Sequence, residues 1–347
     1  MSQSNEYLKR LVGFAQKEQI LRKGEKLLLA VSAGADSTAM LYLYSRLRFS
    51  YNLSLLAVHI NHQLRGIASD QDEEQIKKLC LQLNVPLIIR HIELKGPQDL
   101  ENRARIARFE IFNQILESYK FDKVLLAHHK ADLAETVLIN LLRGSGLSGM
   151  AGIKPLQDKV VHPMLDFMPQ ELKELLNSVK ITWREDESNS DPGFTRNRIR
   201  TELIPQLKQI YNPQITQLLA NEASVLLQAD KYIEEKANRR FKKICLENSL
   251  ERIILSLPDL LRVPQIEQYY ILRKAYRLVS GTKQDFFRVH MHELESLFET
   301  EGSKHISLPH SIYAIKQYQE LIFSSVREDI EPQPAEELII EGERARA

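Results

Sequence analysis

The stretch Leu27–Thr38, LLLAVSAGADST, sets small residues, one acid and three hydroxyls directly after an apolar run. A buried strand ending in small side chains lets the backbone approach a phosphate closely. A helix starting there adds unpaired N–H groups and the positive end of its dipole. Ser32, Ser37 and Thr38 supply hydroxyl donors, and Asp36 is placed to hold a magnesium ion bridging phosphate oxygens. A tight strand-to-helix turn with an Asp/Ser cap would use the same residues. The loop lacks the Gly-Lys-Ser/Thr ending of a Walker A motif.

A second constellation lies in Leu125–Ile153, LLAHHKADLAETVLINLLRGSGLSGMAGI. His128, Asp132 and Glu135 fall at i, i+4 and i+7, which is one face of a helix. One imidazole and two carboxylates on such a face can bind a cation, a metal or an amine. They equally suit a solvated helix N-terminus, where acids complement the dipole. Arg143-Gly144-Ser145-Gly146 offers a cation and a flexible turn suited to phosphate, or a helix C-terminus with a glycine cap. The run TRNRIR, Thr195–Arg200, gathers Arg196, Arg198 and Arg200 into a basic patch that could face RNA or solvent.

Ser32-Ala33-Gly34-Ala35-Asp36-Ser37 resembles the Ser-Gly-Gly-x-Asp-Ser loop of the N-type ATP pyrophosphatases, with Ala33 where glycine is usual. The resemblance implies that Ser32, Ala33, Gly34, Ala35, Asp36, Ser37 and Thr38 bind ATP, with Mg2+ on Asp36. His128-His129-x-x-Asp132-x-x-Glu135-Thr136, followed by Arg143-Gly144-Ser145-Gly146, resembles the signature of the lysidine synthases. Further blocks of that family match in order: His62, Leu64, Arg65 and Gly66; Glu101, Ala104, Arg105, Arg108 and Phe109; Trp183, Asp186, Ser188 and Asn189; Arg196, Asn197 and Arg200.

That family joins free L-lysine to the wobble cytidine of an isoleucine tRNA. A base-ring carbonyl oxygen first attacks the α-phosphate of ATP, releasing pyrophosphate; the lysine side-chain amine then displaces AMP. The resemblance assigns lysine binding to Arg108, His128, Asp132 and Glu135. Asp36, Asp132, Glu135 and Arg143 are the expected catalytic residues, and Arg196, Arg198 and Arg200 the tRNA contacts. The amine's proton could pass to a carboxylate or to His128. The rival readings are tRNA thiolation, which normally needs catalytic or cluster-binding cysteines where this chain has only the isolated Cys80 and Cys245, an amidating synthetase, which would bring a glutaminase domain or partner, and a non-catalytic RNA-binding module.

Apolar runs alternate with helical patterns up to about Tyr211: Lys26–Ser32, Leu53–Ile60, Val85–Ile92 and Lys123–Ala127 as strands; Ser37–Leu47, Asp70–Leu83, Asn102–Tyr119 and Asp132–Arg143 as helices. This α/β order predicts a Rossmann-like parallel sheet with helices on both faces across a catalytic domain, residues 1–211. Residues 212–330 read as a mainly helical tRNA-binding domain, with a hairpin expected within Gly302–Ser324, and 331–347 as a loose tail. A 43% hydrophobic and 27% charged composition fits a soluble globular chain. No apolar run is long enough to cross a membrane, and Met1–Gln19 lacks the pattern of a secretory signal, so a cytoplasmic location is expected. The net charge of +1 neither requires nor excludes RNA, because a local patch can hide in a balanced sum.

Overall fold

The computed structural model describes residues 3–61, 66–92, 100–184, 195–282, 286, 288–300 and 302–326. The chain forms two compact units, residues 1–228 and 229–347.

The first unit is organised around β1 (Lys26–Ala30). Leu27 and Leu29 enter one core and Leu28 another, and none of the three has exposed surface. A strand buried on both faces requires a helical layer on each side. One layer contains α1 (Gln3–Lys17), α2 (Ala35–Leu47), α7 (Pro169–Ser178) and the Ile76, Leu79 and Cys80 face of α3 (Ile67–Gln82). The other is α4 (Leu100–Ser118), which packs Phe112, Ile115 and Leu116 on Leu28, Leu56 and Val58.

β1 pairs in parallel with β2 (Ser54–Asn61) on one side and β4 (Lys123–Leu125) on the other. β3 (Leu87–His91) lies beyond β2, and β6 (Val160–Val161) lies beyond β4; β5 (Leu156–Gln157) ends that edge antiparallel. The order is β3-β2-β1-β4-β6-β5. The chain therefore builds outward from β1 to β3, then returns to lay β4 on the opposite side of β1. Ligands in such sheets bind beyond the carboxyl ends of the strands where the order reverses, here β1 and β4. The expected parallel sheet with helices on both faces is present.

The division between the units falls inside α10 (Ile215–Ile244), beyond the Tyr211 boundary expected from texture. Ala220 and Ala223, early in α10, pack with Leu133, Val137 and Leu165 of the first unit, so the prolines at 205 and 213 do not end its packing. The second unit keeps the expected helices and adds strands that the sequence texture did not reveal. It holds a five-stranded antiparallel sheet in the order β7-β8-β11-β10-β9. The expected hairpin is a three-stranded meander, β9 (Lys304–Leu308), β10 (Ile312–Gln317) and β11 (Glu320–Ser324). The missed strands are β7 (Cys245–Asn248) and β8 (Arg252–Ser256). β8 is a short apolar run whose periodicity cannot separate strand from helix. Pairing with β11, from Arg252↔Ser324 to Ser256↔Glu320, makes it a strand. α11 (Leu257–Leu261), α12 (Gln265–Ser280) and α13 (Arg288–Phe298) cover this sheet around Leu255, Ile271, Leu294 and Phe323. The expected tail, 331–347, lies outside the described residues.

After β4 come α5 (Lys130–Leu142), α6 (Leu147–Met150) and a turn at Gly152. Gly152 has φ +66°, and a Cβ there would lie 2.6 Å from Leu133 Cδ1 and 3.3 Å from Val137 Cγ2. Both the left-handed backbone and the close approach require glycine. Gly152→Ala is expected to destabilise the protein by about 1–3 kcal/mol, read as a lower urea midpoint at unchanged slope.

Candidate active site

The phosphate-loop residues stand where β1 gives way to α2. Gly34, extended at φ −70° and ψ 158°, is the N-cap, so the first-turn N–H groups of α2 have no partner within the helix. The Ser37 hydroxyl fixes the loop: it donates to the Ser32 carbonyl at 2.7 Å and accepts from the Ser32 N–H at 3.0 Å. Ser32 Oγ lies 3.0 Å from Ser37 Oγ. The Ala33 carbonyl accepts from the Arg184 N–H at 2.9 Å. Ala33 is not among the residues of positive φ, and it is 6% exposed within the core. Alanine is therefore unstrained in the usual glycine position. His59, at the end of β2, places Nδ1 3.0 Å from the Val31 carbonyl and so supports the loop from below.

Asp36, half-buried in the first turn of α2, faces His129, with Oδ2 3.6 Å from Nε2. Burial pushes the Asp36 carboxyl above its ordinary range; His129 opposes that shift and Asp132 adds to it. An acid in this state gains from an added cation. Among the described residues no group of three His, Cys, Asp or Glu side chains could hold a metal. A single carboxylate such as Asp36 together with substrate phosphate oxygens is a common arrangement for a magnesium ion.

The N-terminus of α5 opposes the loop. His129 is its N-cap: Nδ1 accepts from the Asp132 N–H at 3.2 Å, while Asp132 Oδ2 accepts from the His129 N–H at 2.9 Å. This reciprocal cap turns Nε2 toward Asp36. Asp132 and Glu135, three apart, then lie side by side, 8% and 2% exposed. Neither is left as an open anion. Arg196 donates from Nε to Glu135 Oε2 at 2.9 Å and from a terminal nitrogen to Asp132 Oδ1 at 3.0 Å. Arg200 grips Glu135 with two donors, at 2.6 and 2.9 Å, and reaches Asp132 Oδ1 at 3.1 Å.

Two half-buried arginines and two buried carboxylates thus form a quartet. The arginines come from α8 (Thr195–Arg198) and a π-helical turn, Ile199–Leu203, leading into α9 (Ile204–Ile210). Ile199 and Ile204 pack on Leu138 of α5, so apolar and ionic contacts hold the segment together. Burial alone would raise Asp132, but His129, His128 and Arg196 hold its carboxyl below the ordinary range. A depressed carboxylate stabilises the fold above its unfolded pKa, and that contribution disappears as pH falls through the folded value. The docking of residues 195–210 should therefore persist at pH 6 and loosen below about pH 4, read as faster amide exchange there.

His128 and His162 complete the wall. Their ring centroids are 4.9 Å apart. Burial drives His128 down to about 3, and it lowers His162 as well, so both rings are neutral near pH 7. No motif had pointed to His162. Its only signal was position, directly after an apolar strand that neighbours the strand leading to His128.

Other expected residues lie elsewhere. Arg143 caps the far end of α5, about 16 Å of helix rise from Asp132, and is not brought to the quartet. A straight helix cannot present both ends to one loop. Arg108 lies exposed on α4. Arg198 faces outward at 67% side-chain exposure, beside Glu202. Trp183 packs on the core edge. His62, Leu64, Arg65, Asp186, Ser188 and Asn189 lie outside the described residues.

Residues 3–207 match the PP-loop domain family. The tRNA(Ile)-lysidine synthase of Caldanaerobacter subterraneus subsp. tengcongensis is 31% identical over 88% of this chain and 67% of its own length. That of Geobacter sulfurreducens is 31% identical over 96% and 72%, and that of Clostridioides difficile 28% over 91% and 70%. Among solved structures, the U34-tRNA thiolase NcsA from Methanococcus maripaludis, with its [4Fe-4S] cluster, superposes with a TM-score of 0.54. It is 18% identical over 65% of this chain and 80% of its own, a likeness of fold alone. With the phosphate loop, the capped acidic helix and these relatives together, the chain belongs to the tRNA(Ile)-lysidine synthase family.

Proposed function

We propose that this protein adenylates the wobble cytidine of an isoleucine tRNA with ATP and then joins free L-lysine to it, forming lysidine. The observation that carries this reading is the convergence of three elements beyond β1 and β4. A phosphate loop carries Asp36, a histidine-capped helix carries Asp132 and Glu135, and an arginine pair is fixed on those acids.

In the first step the base carbonyl oxygen attacks the α-phosphate, and the bond to pyrophosphate breaks. Residues 32–38 hold the phosphates through first-turn N–H groups and the Ser32 and Thr38 hydroxyls. Asp36 would hold magnesium against them, which neutralises charge on the transferring group. The positive charge of Arg200 acts on the Asp36 carboxyl and favours its ionised form. Asp132 and Glu135 keep the two guanidinium groups aimed, and these stabilise negative charge as it develops.

In the second step the lysine side-chain nitrogen attacks the activated ring carbon, the carbon–oxygen bond breaks, and AMP leaves with the electron pair. Asp132 and Glu135 each accept three hydrogen bonds, and a carboxylate has about four acceptor positions, so each can take one more donor from the amine. The quartet is already charge-balanced. An amine entering beside Arg196 and Arg200 is therefore biased toward its neutral, nucleophilic form. Arg108 would pair the lysine carboxylate.

Arg198, facing outward, is assigned to the tRNA backbone. The second unit is assigned a tRNA-binding role on its own features. There α10 exposes Tyr232, Lys236 lies over that ring at 5.4 Å, and Arg239 is 73% exposed, a mixture suited to stacking and phosphate contact.

Asp36→Asn should lower AMP transfer to tRNA by about 100-fold or more while leaving the fold intact by circular dichroism. Full ATP consumption by the folded variant would remove Asp36 from the reaction. Asp132→Asn should reduce labelled lysine incorporation far more than AMP transfer, so that adenylated tRNA accumulates. Equal loss of both steps would mean that Asp132 acts on the phosphates through the arginines. Arg198→Gln should weaken tRNA binding and lower its salt slope by about 1.

A further inference from the structure

We propose that His162 is a positioning residue for lysine transfer: it holds the His128 ring so that its buried Nδ1 meets the incoming amine. The inference rests on the two-step reading above.

β4 and β6 are adjacent parallel strands, registered Val124↔Val160 and Leu125↔Val161, and the Leu126 N–H continues the ladder to the Val161 carbonyl at 2.9 Å. Both strands end at the catalytic edge, and each delivers a histidine there, His128 after β4 and His162 directly after β6. His162 is tied down twice. Its backbone N–H donates to the Pro155 carbonyl at 2.9 Å, and its Nδ1 lies 2.8 Å from the Lys154 carbonyl. A carbonyl can only accept, so Nδ1 carries the ring proton and the tautomer of His162 is fixed. The ring then lies tilted by 51° against His128, at the 4.9 Å separation of the pair.

His128 shows what this contact serves. Its Nδ1 is buried and has no hydrogen-bond partner. Buried polar atoms are nearly always paired, so an unpaired ring nitrogen beside Asp132 awaits a ligand group. A neutral His128 can accept a hydrogen bond from an amine. A protonated imidazole would have no nitrogen left to accept that hydrogen bond. His162, neutral and anchored away from the site, supplies a ring wall without charge. The Asp132 carboxylate acts electrostatically on both rings, opposing the downward shift that burial causes.

The test separates the two half-reactions in the full chain. AMP transfer to tRNA is measured without lysine, and lysine incorporation is then measured against lysine concentration. His162→Ala should raise the KM for lysine by about tenfold, the effect of one misplaced hydrogen bond, with AMP transfer within about twofold of wild type. His162→Asn keeps an N–H for the Lys154 carbonyl and should show an intermediate lysine KM of about threefold. It also carries the test alone if His162→Ala does not fold. An unchanged lysine KM in a folded variant overturns the proposal. So does a fall in AMP transfer that matches the fall in lysine incorporation, which would mark His162 as merely structural. If the wild-type protein transfers AMP but incorporates no lysine, the two-step reading fails, and this inference fails with it.

Discussion

Two carboxylates on one buried helical face cannot both stay ionised without countercharge. Removing an ion from water costs several kcal/mol even after the protein relaxes, and adjacent like charges add to that. Asp132 and Glu135 are in this position, and Arg196 and Arg200 are the answer. The local geometry around α5 follows from the pairing. Residues 195–210 must dock on α5, and the π-helical turn that contains Arg200 lies at the contact. π-helical turns are uncommon and concentrate at functional sites, where they re-aim side chains. Here Arg196 and Arg200, four residues apart, reach the same two acids.

The quartet also links parts that are distant in sequence. Asp132 closes the cap of α5 with His129, and His129 faces Asp36 on the phosphate loop. One carboxylate therefore shapes a helix end, orients a histidine and fixes two cations. Charges this closely connected respond together, and removing one shifts the others rather than deleting a single contact. The sheet makes such coupling possible. Because the strand order turns between β1 and β4, the loop after β1 and the helix after β4 open into the same crevice.

The second unit follows a different logic. Its sheet is antiparallel, and its central strand β11 joins β8 from more than seventy residues earlier in the chain, Ser324 opposite Arg252. The apolar run that becomes β8 is short and passes directly into the helix α11, so local pattern carries little information about its state. The meander of β9 to β11 was easier to anticipate. Its turns are tight, and its strands follow one another directly.

Local rules therefore carried much of this protein. The alternation of apolar runs and amphipathic segments determined the parallel sheet. The small residues between Val31 and Ala35 determined the phosphate loop. The spacing of Asp132 and Glu135 determined that they share a helix face. Each of these depends on neighbours within a few residues, where periodicity and conformational preference act. Three things were decided only by the tertiary structure. The acids of α5 are paired with arginines more than sixty positions away. Arg143 is carried off to the far end of its helix. His162 joins the site from a strand that bears no motif. A sequence shows which side chains are ionisable and which face of a helix they occupy. Only the folded chain shows which opposite charge, arriving from elsewhere, makes burying them tolerable.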